Sequence, residues 1–221
     1  MRRSEDEPIP VWDLPIRVGH WASALLVGAC YVTWRRNWMA WHVWLGEALL
    51  ALIIFRLSWG IWGSENARFR AFLVPPGAVF RHLATIFVRE PDHAPGHNPA
   101  GGWMVAALLV LLLGETLSGI YVSNDVANES ALTGLVPAAV ANAITELHFW
   151  LWWTLVAAIV LHGLAIAVYA AAKGQNLVRP MLIGTKTLPP AIPRPHLAPF
   201  RRALPLLALS IAAALALGRI L

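Results

Sequence analysis

Five long apolar stretches constrain this chain more than any other feature. They cover residues 16–35, 42–62, 102–122, 143–172 and 203–220. About 20 apolar residues in a helix span the hydrocarbon layer of a bilayer, so each stretch is long enough to cross or enter one. Charged residues make up 13% of the 221-residue chain, against about 25% in a soluble domain. The mean hydropathy is +0.59. The pattern predicts an all-α fold, an integral membrane four-helix bundle with an additional C-terminal transmembrane helix. Residues 1–184 read as the four-helix domain, and 185–221 as a proline-rich linker followed by the extra helix. The first stretch lacks a small-residue cleavage pattern and reads as mature structure. No repeat of fixed period and no separate soluble domain is visible.

Charge placement predicts the orientation. The N-terminal segment carries Arg2, Arg3 and Arg17, and the second connection carries Arg68, Arg70, Arg81 and Arg89. The fourth connection carries Lys173, Arg179, Lys186, Arg194, Arg201 and Arg202. The third has no Lys or Arg but holds Asp125 and Glu129. Positive charge is retained on the cytoplasmic side, which puts the N-terminus inside and the C-terminus outside. Arg35 and Arg36, in the short first external loop, run against this rule. The net charge of +5 then reflects topology and contact with anionic membrane lipid, and gives no reason to expect a nucleic-acid partner.

The connections carry their own signals. Residues 75–89 read as a short amphipathic helix on the inner surface, with Arg81 and His82 on its polar side. Pro91, Pro95, Pro99, Gly101 and Gly102 predict an irregular stretch. Pro189, Pro190, Pro193, Pro195 and Pro199 predict a stiff linker that separates the last apolar stretch from the core.

Four histidines fall inside the apolar stretches: His20, His42, His148 and His162. An imidazole in lipid is costly unless it has a partner or a function. His148 and His162 lie fourteen positions apart on one stretch. At roughly 100° per residue they return to within about 40° of the same face, separated by about 21 Å along the axis. In the expected topology His42 and His148 are outer, and His20 and His162 are inner. Depth therefore pairs His42 with His148 and His20 with His162. A metal held by two histidines needs its other positions filled, and haem does this with four pyrrole nitrogens and two axial imidazoles. Cys30 is the one cysteine, and there is no C-x-x-C-H attachment motif, so the haem expected is non-covalent, of b type. Two axial imidazoles leave no open iron site, which favours electron transfer over chemistry at the metal.

The stretches VWDLPIRVGHW, HVWLGEALLALIIFRLSWGIWGS, GHNPAGGWM and TELHFWLWWTLVAAIVLHGLAIAVY together resemble the bacterial di-haem cytochrome b561 family, which includes the cytochrome b subunits of nickel-iron hydrogenases. The resemblance covers about residues 11–184. It implies a four-helix core with two haem b groups and electron exchange with quinone in the bacterial inner membrane, and so a periplasmic C-terminus. His20, His42, His148 and His162 match the family's axial-ligand positions. The tail 185–221 departs from the shortest members.

Other polar residues carry two readings each. Arg56 lies fourteen positions after His42 and so shares its face one haem level deeper, where propionates need positive partners; the alternative is an arginine snorkelling to the inner surface. Arg17, three residues before His20, is a second propionate candidate. Arg35 and Arg36 serve the outer haem, attract an anionic substrate or acidic partner, or contact headgroups. Glu47, Glu115 and Glu146 fall in the outer half. They exchange protons during quinol chemistry, or they hydrogen-bond the imidazole N–H of an axial ligand; Glu115 is the costliest, deep in the third stretch. His82, His93, His97 and His196 lie in connections and read as ordinary loop residues. Most of the twelve tryptophans cluster near span ends, as interfacial belts do.

These features predict an electron-transfer subunit of a respiratory oxidoreductase. It would exchange electrons between quinone and a periplasmic partner, either a cytochrome c or a periplasmic or peripheral oxidoreductase subunit. The alternative is an enzyme acting alone, a superoxide:quinone oxidoreductase working at the periplasmic face, for which Arg35 and Arg36 are the sequence support.

Overall fold

The computed structural model describes residues 7–90, 92–122 and 137–219. Arg2, Arg3, Pro91, Asp125 and Glu129, used above, lie outside the described residues. In chain order the elements are β1 (Glu7–Pro10), α1 (Leu14–Arg35), α2 (Met39–Trp62), α3 (Phe69–Phe72), α4 (Pro76–Ala84), α5 (Pro99–Gly119), α6 (Ala138–Val168), a π-helical turn (Tyr169–Lys173), α7 (Val178–Ile183), β2 (Thr185–Leu188) and α8 (Ala203–Arg219). Met39–Trp62, Pro99–Gly119, Ala138–Lys173 and Phe200–Gly218 are long and apolar enough to cross a membrane. Helix α1 matches them in length at 22 residues, while its His20, Ser23 and Thr33 make it less apolar. The five expected stretches are thus five helices, and the fold is that of an all-α integral membrane protein with one small ribbon added. Only 11% of the most apolar window of Ala138–Lys173 is buried within the protein. A helix that is apolar all round and so little covered is built to face lipid.

The chain forms two compact units. The first, the ribbon unit, comprises Met1–Val18, Ser58–Ala107 and Ile159–Ala203. In it β1 and β2 pair antiparallel, with Glu7 opposite Leu188 and Pro10 opposite Thr185. Asp13 starts α1 as its N-cap: Oδ1 accepts the Ile16 N–H at 2.8 Å. Its Oδ2 accepts the indole N–H of Trp59 at 2.9 Å, and Trp59 is fully buried. Gly184 follows α7 with φ +87°, and its carbonyl accepts the N–H groups of Val11 and Trp12. A Cβ there would lie 2.9 Å from the Trp12 oxygen, so the turn is open to glycine alone.

Three expectations for this unit change in detail. The stretch read as irregular becomes helical from Pro99. Asn98 caps that helix by accepting the Gly101 N–H at 2.7 Å, and proline is well placed in a first turn, where its missing N–H is not needed. The amphipathic helix ends at Ala84, and His82, read as lying on its polar side, is half-buried and stacked on Tyr169 with the rings 19° apart. The proline-rich segment does more than separate. Ala198 N–H donates to Ser64 Oγ at 2.8 Å and His196 N–H to Glu65 Oε2 at 2.9 Å, which straps the segment to residues 64–65.

The second, the helix unit, comprises Gly19–Leu57, Leu108–Ala158 and Leu204–Leu221. Helices α1 and α2 are joined by a tight turn in which Asn37 takes φ +56°, a left-handed conformation that Asn tolerates well. Trp38 N–H closes the turn on Thr33 O at 2.8 Å. Leu50 and Ala51 of α2 pack with Ala214 of α8, joined by Ile54, Leu113, Ile120 and Leu217. The last helix is therefore an integral part of this core. Small Ala51 and Ala214 let the two backbones approach, as helices in lipid require.

Candidate functional site

The most informative geometry surrounds His42 and His148, both in the helix unit. Nδ1 of His42 lies 2.9 Å from the carbonyl oxygen of Cys30. A carbonyl can only accept, so Nδ1 carries the proton and Nε2 is left as the lone-pair nitrogen. The same logic holds for His148, whose Nδ1 lies 3.0 Å from the Glu115 carbonyl oxygen. Ser118 Oγ is also 3.0 Å from that Nδ1. A metal-ligating histidine is typically oriented in this way, its second nitrogen held by a carbonyl. The two rings lie within electrostatic reach of each other.

The helices supply these acceptors for local reasons. Thr33 Oγ1 also bonds the Cys30 carbonyl, at 3.0 Å, one turn up α1. On α5, Ser118 Oγ bonds back to Glu115 O at 3.0 Å. Gly119 lets the imidazole of His148 approach: a Cβ at 119 would lie 3.1 Å from its Cε1. The Glu115 carboxyl, 12% exposed, lies with Oε1 3.4 Å from His148 Nε2. That is longer than a good N–H···O bond, at about 2.9 Å, and the carboxyl has to turn aside for a metal to reach the nitrogen.

The remaining candidates are distributed more widely. His20 belongs to the helix unit, half-buried and edge-on to Trp21 at 5.0 Å. His162, also half-buried, belongs to the ribbon unit. Arg56 is half-buried in the helix unit. Arg17, in the ribbon unit, donates through Nη1 to the Leu182 carbonyl. Arg35 lies over the Trp34 ring, 5.7 Å from its centroid, and Arg36 is exposed. The Glu47 carboxyl abuts Gly218 of α8, and Glu146 is exposed. His97, read as an ordinary loop residue, is packed between Trp12 and Phe72 at 4.6 and 4.8 Å.

Sequence reading passed over Ser118 and Gly119. Their signal was the run Glu-Thr-Leu-Ser-Gly at 115–119, polar and small inside an otherwise aliphatic helix. It also passed over the Cys30 backbone, for which no side-chain signal exists. Among the described residues no group of three or more His, Cys, Asp or Glu side chains is placed to hold a bare metal ion.

Long lipid-facing helices define an integral membrane protein, and two of its imidazoles are anchored on helix carbonyls with the other ring nitrogen left as a possible donor. A family model described as prokaryotic cytochrome b561 matches residues 11–184, and the chain belongs to that family. No curated protein and no solved structure matches the chain. Family membership makes it a bacterial membrane protein of transmembrane electron transfer that binds haem b. The His42–His148 pair fits such a group. Both rings present the right tautomer, and a Cβ at Gly28 or Gly46, the latter one turn from His42, would meet nothing within 4 Å.

Proposed function

We propose that the chain holds two haem b groups, one on His42 and His148 and one on His20 and His162, and exchanges electrons between quinone and a periplasmic redox partner. The observation that carries this is the matched anchoring of Nδ1 on a helix carbonyl at both His42 and His148. When bound, haem supplies one-electron transfer. The protein's own residues fix ring orientation and local charge, which tune the potential. The Cys30 and Glu115 carbonyls hold the imidazoles against rotation. Arg56, with Arg17 as the second candidate, provides positive charge for the propionates of the inner haem. The N-terminus is cytoplasmic and the C-terminus periplasmic, on the charge asymmetry of the connections. Residues 1–184 form the electron-transfer domain, and 185–221 add the linker and last helix. A pyridine haemochrome assay on purified, folded protein tests the proposal. A ratio near two haems per chain is expected, and a ratio near zero would remove it.

A further inference from the structure

The ribbon unit contains a cavity of about 510 Å³ where the longest apolar helix ends, within the size range of small-ligand sites. Its lining includes four cations, Arg89, Lys173, Arg179 and Lys186, and two carboxylates, Glu90 and Asp92. The carboxylates are already committed to the lysines. Lys173, with a side chain 1% exposed, pairs with Glu90 at 3.3 Å, and Lys186, 8% exposed, pairs with Asp92 at 2.7 Å. Among the described residues neither Arg89 nor Arg179 is in an ion pair. The Arg89 guanidinium is placed over Gly174, where a Cβ would lie 3.2 Å from its Nε. The cavity thus has two guanidiniums in excess, backed by two lysines whose charges are fixed and neutralised.

Depth adds a second argument. Lys173 is the last residue of the apolar span Ala138–Lys173, so the cavity opens where hydrocarbon gives way to headgroups. Guanidinium groups bind phosphate oxygens through paired N–H donors, and basic residues at this level are drawn to anionic lipid. We propose that this cavity is a phosphate-binding site, with Arg89 and Arg179 as the contacting residues and an anionic phospholipid headgroup as its natural source of phosphate. The proposal is independent of haem stoichiometry and of quinone.

The test uses the full-length, haem-loaded protein, delipidated in mild detergent. It is titrated separately with phosphatidylglycerol, phosphatidylcholine and inorganic phosphate, and bound molecules are counted by native mass spectrometry. One saturable phosphatidylglycerol site is expected, tighter than phosphatidylcholine. Arg89→Ala and Arg179→Ala should each weaken it about fivefold, and together ~25-fold. Arg70→Ala, exposed on α3 outside the cavity, should leave it unchanged. Haem spectra check that each variant is folded. Phosphatidylglycerol binding well above inorganic phosphate assigns the site to lipid. Inorganic phosphate binding equally well, with the same arginine dependence, supports the site and assigns it to a soluble phosphate. Undiminished phosphatidylglycerol binding in the double variant, or an equal loss in Arg70→Ala, overturns the proposal.

Discussion

The two units use polar groups in different ways. In the ribbon unit, hydrogen bonds tie distant segments into a fixed surface: Asp13 holds Trp59, Asn66 Nδ2 donates to the carbonyls of Val11 and Pro95, and Ser64 holds Ala198. These bonds hold loops and chain ends that have little apolar surface to bury. In the helix unit the core is aliphatic, and the interhelical bonds that stand out belong to His42 and His148. A helix in lipid satisfies its own backbone, so an added polar link there has another purpose. The ribbon-unit bonds named here are architectural, while those of His42 and His148 orient two candidate ligands.

Three variants probe that division. Asp13→Ala should have the largest effect on stability. It removes an N-cap, at about 0.5–2 kcal/mol, and strands a buried indole N–H, at about 1–3 kcal/mol. A loss of about 2–4 kcal/mol is expected in denaturant titrations, with haem content unchanged. Loss of haem alongside stability would break the division.

Arg56→Gln should act on potential and leave stability nearly intact. A nearby positive charge favours the reduced haem, so removing it should lower the inner midpoint potential by on the order of tens of millivolts, taking about 2.3 kcal/mol per 100 mV. The outer midpoint should change less. The shift should largely persist at high salt, because a partly buried pair is screened less than a surface one. Two unchanged potentials with normal haem content would leave Arg17 as the better propionate partner.

The smallest effect concerns His82. Burial against Tyr169 holds its pKa below the ordinary 6.5, nearby Lys173 adds to this, and Glu90 opposes it. The folded state therefore binds the proton less readily than the unfolded chain. Stability from this site is complete above about pH 6.5 and is lost as pH falls through that value toward the lowered folded pKa. Melting temperature should fall slightly over that window in the wild type, and less in a His82→Phe variant. Equal pH dependence in both would show that His82 is not sensing its burial.

Much of the helix unit was legible because lipid imposes one rule, a long apolar run, and the five runs at 16–35 through 203–220 became five helices. The ribbon unit was less legible because its order comes from contacts between distant segments. Nothing in Glu7–Pro10 announces a strand, and its partner lies at Thr185–Leu188. Pro99 looked like a breaker, and it became a helix start because Asn98 caps it. At the candidate site, the histidines were visible as polar residues in apolar runs. Their anchors were hidden, because two are backbone carbonyls and carry no residue-type signal.

The proposed pairing puts one haem on His42 and His148 and the other on His20 and His162. Redox titration with optical spectra of the four single His→Ala variants tests it most directly. With that pairing, His42→Ala and His148→Ala should remove the same spectral and potentiometric component, and His20→Ala and His162→Ala should remove the other. Loss of one common component in His20→Ala and His42→Ala would contradict it.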